Sequence, residues 1–303
     1  MDERIAAAAY AAGWAAVGRV PERAGRRVFD RVADHAWRHR AGGVRTLEAN
    51  LRRVAGPAAT PAQIRALSKA AMRSYLRYWY EAFRLPAMSE HDILGRTDSD
   101  GIDVLEKTVA GGRGVVAALP HMGNWDHAGA WITLRGTPLT TVAERLRPEE
   151  LFRRFTAFRE GLGMEVLALD AGAHTAATLA GRLRAGRLVC LLADRDLAGS
   201  GVDVEFFGAP ARFAAGPAAL AERTGAALMP VTLWFEGQRW YIRVHPEIAP
   251  PAHGGRAERV MGMTQELARV FEGAIAEHPE DWHMLQPVFG ADLAGRPGVE
   301  RGR

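Results

Sequence analysis

One cysteine, Cys190, occurs in the chain, inside the apolar run Leu188 to Leu192, so an intrachain disulfide framework and a multi-cysteine metal site are both excluded. A reducing, cytoplasmic setting is the expectation. Long apolar runs are also lacking. Ile5 to Gly18 is Ala-rich and uncharged but only 14 residues long, short of the roughly 20 that cross a bilayer. Asp2 and Glu3 precede it and Arg19, Pro21 and Arg23 follow, a pattern without the basic start and small-residue cleavage site of a signal peptide. It reads as an interfacial helix. No zinc-ligand spacing, helix-turn-helix pattern or RNP-like strand is present, which argues against a nucleic-acid partner. No Gly-x-Ser-x-Gly elbow is present either, and the chain has no internal repeats.

No Pro/Gly/Ser-rich or charge-block linker divides the 303 residues, 48% of them hydrophobic. The expectation is one compact α/β domain: residues 1–60 as N-terminal interfacial helices, 61–292 as the core and 293–303 as a disordered tail. Lys plus Arg minus Asp plus Glu is 39 − 35, a net charge of +4. An anionic membrane face or a phosphate-bearing substrate suits that modest excess.

Residues 62–84 place Ile64, Leu67, Ala71, Leu76, Trp79 and Phe83 near helical spacing, with Arg65, Lys69, Arg73 and Arg77 as a basic stripe. Tyr75, Tyr78, Trp79 and Tyr80 cluster near its end, as an element resting at a headgroup layer would require; a solvated helix face explains the stripe equally. From Gly114 the period changes. Gly114 to Leu119, Leu139 to Ala143, Glu165 to Leu169 and Arg187 to Ala193 read as strands, and Trp125 to Leu134, Pro148 to Gly161 and Thr175 to Ala185 as the helices between them. This alternation predicts a central mixed, mostly parallel sheet covered by helices on both faces. Ala227 to Phe235 and Arg239 to His245 add a hairpin turning at Gly237, and Arg256 to Ala276 forms a last long helix.

Polar residues at strand ends are the site candidates, because ligands collect at the carboxyl ends of strands in open α/β sheets. Pro120 ends the first strand, His121 follows in the loop, and Asn124 is placed to cap the helix that carries Asp126. With a loop between them, the His121 imidazole can fold back onto the Asp126 carboxylate and serve as a general base. Spacing alone does not separate this from a structural histidine: ten histidines and 35 acidic residues in 303 positions give about one such match by chance. Asp194-Arg195-Asp196 ends another strand, where Asp194 would brace His121 and Arg195 would face phosphate, or where the triplet is a plain ion pair. Glu144, Arg145 and Arg147, with Arg159 on the helix after them, suit phosphates or merely a solvated face. Gly216 and Pro217 open a helix whose free N–H groups suit an anion or an oxyanion, if they do more than start it.

Taken together, Leu119 to Asp126, Thr141 to Leu146, Asp194 to Leu197, Val204 to Gly208, Gly216 to Ala218 and Thr224 to Ala226 follow the order seen in the lysophospholipid/lipid A late acyltransferase superfamily. Ala11 to Trp14, Arg77 to Met88 and Asp281 to Pro287 are similar to its actinobacterial phosphatidylinositol mannoside acyltransferases. The resemblance spans about residues 8–292. It implies a peripheral enzyme at the cytoplasmic face of the plasma membrane that moves a long acyl chain from acyl-CoA to a mannose hydroxyl of a phosphatidylinositol mannoside in the inner leaflet, without metal or cofactor. It implies His121 as base, Asp126 and Asp194 as its supports, and substrate contacts from Asn124, Glu144, Arg145, Arg147, Arg159, Arg195, Asp196 and Gly216. Family members often carry Glu where this chain has Asp194, one methylene shorter. Transfer would be direct, with no acyl-enzyme. Trp125, Phe206, Phe207, Phe213, Trp234 and Phe235 would line an acyl groove or pack the core.

Two rivals stand beside it. A metal-dependent phosphoesterase or lipid hydrolase would use His121, Asp126, His127, Asp194 and Asp196 as ligands, although neighbours Asp126 and His127 on one helix point about 100° apart. A membrane-surface scaffold would use the basic helix and leave His121 structural.

Overall fold

The computed structural model describes residues 17–145, 149–169, 173–196 and 199–293. Most of the Ala-rich stretch Ile5 to Gly18, the candidate Arg147, and the tail beyond Leu293 lie outside the described residues.

Three helices come first: α1 Glu22–Arg38, α2 Val44–Ala55 and α3 Pro61–Arg84. α3 starts where the sequence changes at Thr60-Pro61. The Thr60 hydroxyl accepts from the Gln63 amide, the Gln63 side chain accepts from the Thr60 amide, and Pro61 needs no partner for a missing N–H. The three pack around Ala33, Val44, Leu47, Leu51, Ala71 and Met72. α4 Glu90–Gly95, β1 Thr97–Asp100 and α5 Ile102–Ala110 lead into the alternating part: β2 Val115–Leu119, α6 Trp125–Leu134, β3 Leu139–Glu144, α7 Glu149–Gly161, β4 Glu165–Leu169, α8 Ala173–Arg184 and β5 Leu188–Leu192. A hairpin of β6 Val202–Phe206 and β7 Ala209–Phe213 follows, then α9 Gly216–Thr224, β8 Ala227–Glu236, β9 Arg239–Val244, α10 Arg256–Glu277 and α11 Gly290–Leu293.

The seven-stranded sheet has the order β1-β9-β8-β2-β5-β3-β4. Five of its six neighbouring pairs are parallel, and only β8 with β9 is antiparallel. This is the mixed, mostly parallel sheet that the alternation predicts. Residues of β2 alternate between two cores, as the pleat requires. Val116 and Ala118 face α8, α9 and α10, while Val115, Ala117 and Leu119 face α5, α6 and α7. All five are buried, which explains why β2 reads as one apolar run rather than an alternating one.

Two strand elements escape the sequence pattern. β1 is Thr-Asp-Ser-Asp, with no apolar alternation, and exists because its backbone pairs in parallel with β9 at the sheet edge. The β6–β7 hairpin forms its own two-stranded sheet and turns at Phe207-Gly208, both with positive φ.

Packing gives each cation of the α3 stripe a carboxylate. Arg65 reaches Glu48 on α2 at 3.7 Å, Lys69 and Arg73 reach Asp34 on α1 at 3.6 and 2.7 Å, and Arg77 pairs with Glu81 at 2.6 Å. Tyr78 and Tyr80 are core side chains. Arg65 and Arg73 remain exposed, and Tyr75 and Trp79 are half-buried. Arg23, Arg27, Val28, Arg31 and Val32 on α1 are exposed as well. Among the described residues no helix is long and apolar enough to cross a membrane.

Candidate active site

Strands β2, β5 and β3 run in register, so the segments that follow Leu119, Leu192 and Glu144 emerge at one edge of the sheet. Behind Pro120 the chain makes a tight loop, 121–124. Gly123 has φ +59, and a Cβ there would lie 2.7 Å from the Leu233 backbone, so only glycine fits. Asn124 caps α6 by accepting from the His127 amide at 2.9 Å.

His121 is fixed at two points by one carboxylate. Its backbone N–H donates to Asp194 Oδ2 at 2.9 Å, and its Nδ1 lies 2.5 Å from Asp194 Oδ1. Asp194 is fully buried. Burial opposes its charge, but the His121 ring and the hydrogen bonds from His121 and Trp282 outweigh that and hold the carboxyl below its ordinary value. With Nδ1 engaged, Nε2 is the nitrogen left to take a proton. The shorter Asp side chain therefore reaches the imidazole directly, since Ala193 pairs with Leu119 at 2.8 Å and brings the two strand ends together.

Asp126 does not serve His121 in the way the spacing suggests. Its carboxylate accepts from the Tyr78 hydroxyl at 2.7 Å and from Arg159 Nε at 2.6 Å, and no hydrogen bond joins it to His121. The helix turns Asp126 toward α3 and α7, while His121 turns toward β5. Burial works against the Arg159 charge, yet the Asp126 carboxylate overcomes it and raises the guanidinium above its ordinary value. Tyr78 in turn stacks on Trp125 at 4.1 Å, and Trp125 meets His121 edge-on at 5.7 Å.

A cavity of about 600 Å³ opens beside His121. Its apolar wall runs from Trp125 and Leu119 past Ala117, Gly129 and Ile132 to Leu139 and Leu188, between the sheet and α5, α6 and α7. Leu192 and Leu188 both line it, so it extends along about one strand, roughly 13 Å. Asp126, Glu144, Arg159, Arg195, Asp196 and Gly216 also border it. Arg195 pairs with Glu144 at 3.2 Å, and its buried Nε has no protein partner. Asp196 holds its own loop, accepting from the Gly199 and Gly201 amides and from Arg212.

Other candidates fall elsewhere. Asn124 is buried and uses both ends of its amide internally, the second on Glu81 at 3.1 Å. Arg145 reaches Glu149 and lies over Phe152, whose ring is part of the cavity wall. Phe206 and Phe213 belong to the opposite core with Phe271 and Trp282, Phe207 packs against them, Trp234 stacks between Tyr241 and His278, and Phe235 lies under Arg77. Of the aromatic residues expected along a groove, only Trp125 lines it. The five ligands of the metal reading do not converge beyond the His121–Asp194 pair: His127 stacks on Trp240 at 3.9 Å, and among the described residues no group of three or more His, Cys, Asp or Glu side chains is placed to hold an ion. Cys190 faces the cavity, but burial pushes its thiol up to about 12, far from a nucleophile.

The C-terminal run Asp281-Trp282-His283 was marked in the sequence only by resemblance. The fold places it against the His121 loop, with Ser74 bridging Asp281 at 2.5 Å and His283 at 2.8 Å. Burial pushes the Asp281 carboxyl up to about 6 and His283 and His127 down to about 3. The two histidines bind protons only when the chain unfolds, so they destabilise the fold as pH drops below 6.5. Asp281 acts in the opposite sense between about 3.8 and 6, because the folded carboxyl holds its proton longer. Two histidines outweigh one carboxyl. Urea unfolding at pH 5 should show stability lower than at pH 7 by on the order of 2 kcal/mol, and His127→Gln should flatten that dependence.

Sequence comparison bears on this geometry. The model of a family described as bacterial lipid A biosynthesis acyltransferase matches residues 2–290. The chain is 48% identical over 291 residues to the phosphatidylinositol mannoside acyltransferase of Mycobacterium tuberculosis, covering 94% of this chain and 89% of that protein. It is 50% identical over 289 residues to the protein of that name from Mycolicibacterium smegmatis, covering 94% and 91%.

Proposed function

The chain belongs to the bacterial lipid A biosynthesis acyltransferase family, and we propose that it moves a long-chain acyl group from acyl-CoA to a mannose hydroxyl of a phosphatidylinositol mannoside. The observation that carries this reading is His121, held on a buried carboxylate at an apolar cavity large enough for an acyl chain.

His121 Nε2 takes the proton of the acceptor hydroxyl as the oxygen attacks the thioester carbonyl. Asp194 stabilises the imidazolium that forms. The tetrahedral oxyanion collapses, the carbon–sulfur bond breaks, and the imidazolium returns its proton to the thiolate. Ester and free thiol result, and His121 is ready again. No side chain is acylated. Arg195, with its unpaired buried Nε, and Arg159, held by Asp126, are two cations at the cavity suited to phosphate or sugar oxygens. Glu144, Asp196 and Gly216 border the same space, with the amino end of α9 offering N–H groups to the oxyanion. Arg23, Arg27, Arg31, Val28 and Val32 on α1 suit a peripheral position on an anionic cytoplasmic leaflet.

Purified protein with palmitoyl-CoA and a mannosylated phosphatidylinositol should release thiol and form acylated glycolipid, with or without a chelator. Neither thiol nor product across several glycolipids rejects the transferase; activity lost on chelation revives the hydrolase. If the cavity holds the acyl chain, Ala117→Leu, which fills its wall beneath Leu119, should lower kcat/KM for palmitoyl-CoA about tenfold or more and spare decanoyl-CoA.

A further inference from the structure

We propose that Trp282 is a positioning residue of the His121–Asp194 pair, its indole N–H setting the orientation of the carboxylate and its backbone setting the histidine loop. The inference rests on the reading of His121 as base and adds to it a residue without contact to the reacting groups.

Indole has one donor and no acceptor. Trp282 Nε1 donates it to Asp194 Oδ2 at 2.9 Å, inside a region where both residues are fully buried. The same oxygen accepts from the His121 backbone at 2.9 Å. Two donors on Oδ2 fix the carboxylate plane and present Oδ1 to His121 Nδ1. A buried carboxylate with fewer donors is costly and free to turn.

The backbone of the same segment pairs with the histidine loop. Met122 and Trp282 form an antiparallel bridge, the His283 amide donates to the His121 carbonyl at 2.7 Å, and the Gly123 amide donates to the Asp281 carbonyl at 2.9 Å. The segment is itself anchored on α3 and β8, through Ser74 and through the Phe235 amide, which donates to Asp281 Oδ2 at 2.9 Å. Trp282 thereby ties the base and its carboxylate, which lie on separate strand ends, to one rigid reference.

The other charged or titratable groups near the pair are Arg195 from the β5 loop, Asp126 with Arg159 from α6 and α7, Tyr78 from α3, and Asp281 and His283. Of these, burial pushes His283 down to about 3 and Asp281 up to about 6. A readout specific to the His121 ring is therefore needed.

The test replaces Trp282 by β-(3-benzothienyl)alanine, whose sulfur takes the place of the N–H within a ring of nearly the same shape, with Trp282→Phe as a second variant. NMR follows the proton between His121 Nδ1 and Asp194 Oδ1, and acyl transfer gives kcat and KM. Loss of one donor changes how the carboxylate is held against the imidazole, so the resonance of the proton shared by His121 Nδ1 and Asp194 Oδ1 should move from its wild-type position. kcat should fall about tenfold, KM for palmitoyl-CoA should stay within about twofold, and the urea midpoint of the isostere should stay near wild type. An unchanged His121 Nδ1–H resonance in the isostere overturns the inference, whether or not the enzyme turns over. A stability loss in Trp282→Phe alone, with the isostere matching wild type throughout, assigns the ring to packing only and overturns it too. Wild-type protein without turnover rejects the transferase reading instead.

Discussion

His121→Ala should reduce acyl transfer by about 10²- to 10⁴-fold, the range that a positioned general base supplies, with thiol release and acyl-glycolipid falling together. The two products share one step in direct transfer, so removal of the base cannot stop one and spare the other. Palmitoyl-CoA binding should persist, because the cavity wall is built from other side chains such as Leu119, Ile132 and Leu188. The variant should also remain folded. Asp194 keeps two donors, the backbone N–H of residue 121 and Trp282 Nε1, so its buried charge is not abandoned. The cost of losing the third is about 1–3 kcal/mol, measurable by urea unfolding alongside turnover. Thiol release that continues at the wild-type rate in this variant would remove His121 from the mechanism.

Asp194→Asn is expected to be nearly as damaging, and the reason is an amide that can sit only one way. The oxygen at the Oδ2 position accepts from two fixed N–H groups, His121 backbone and Trp282 indole. The amide NH₂ is therefore driven to the Oδ1 position, facing His121 Nδ1. A donor there makes Nδ1 an acceptor and moves the ring proton to Nε2, the nitrogen that must receive the substrate proton. A carboxylate-to-amide change with the same consequence in serine proteases costs about 10⁴ in kcat. A loss of about 10²- to 10⁴-fold with substrate KM little changed is the expected result here. Retention of full activity would mean that the short contact between the two residues is structural.

Much of this protein is legible locally. The strand bounds from Glu165 to Leu169 and the helix from Trp125 to Leu134 follow directly from apolar period and from caps such as Asn124, because both signals act within a turn or a strand. His121 and Asp194 could be nominated because each follows an apolar run at a strand end. β1 could not, because its polar residues take strand form only through β9.

Long-range contacts decided the rest. The sequence placed Asp126 five residues from His121 and made it the natural partner, yet α6 points its carboxylate to Tyr78 and Arg159, residues 48 and 33 positions away. It placed aromatic rings along a groove, but β6 and β7 carry Phe206 and Phe213 to the opposite face of the sheet. It laid cations along α3, and α1 and α2 supplied the carboxylates that neutralise them. Periodicity reports which side of an element is apolar; it does not report what stands opposite. So the alternation of strands and helices from β2 to β5 and the mostly parallel sheet were set by the sequence read alone, and His121 was nominated by its place at a strand end. Which carboxylate holds that histidine, and that a tryptophan 88 residues beyond Asp194 holds the carboxylate in turn, was decided when the strand ends and the C-terminal segment met in the fold.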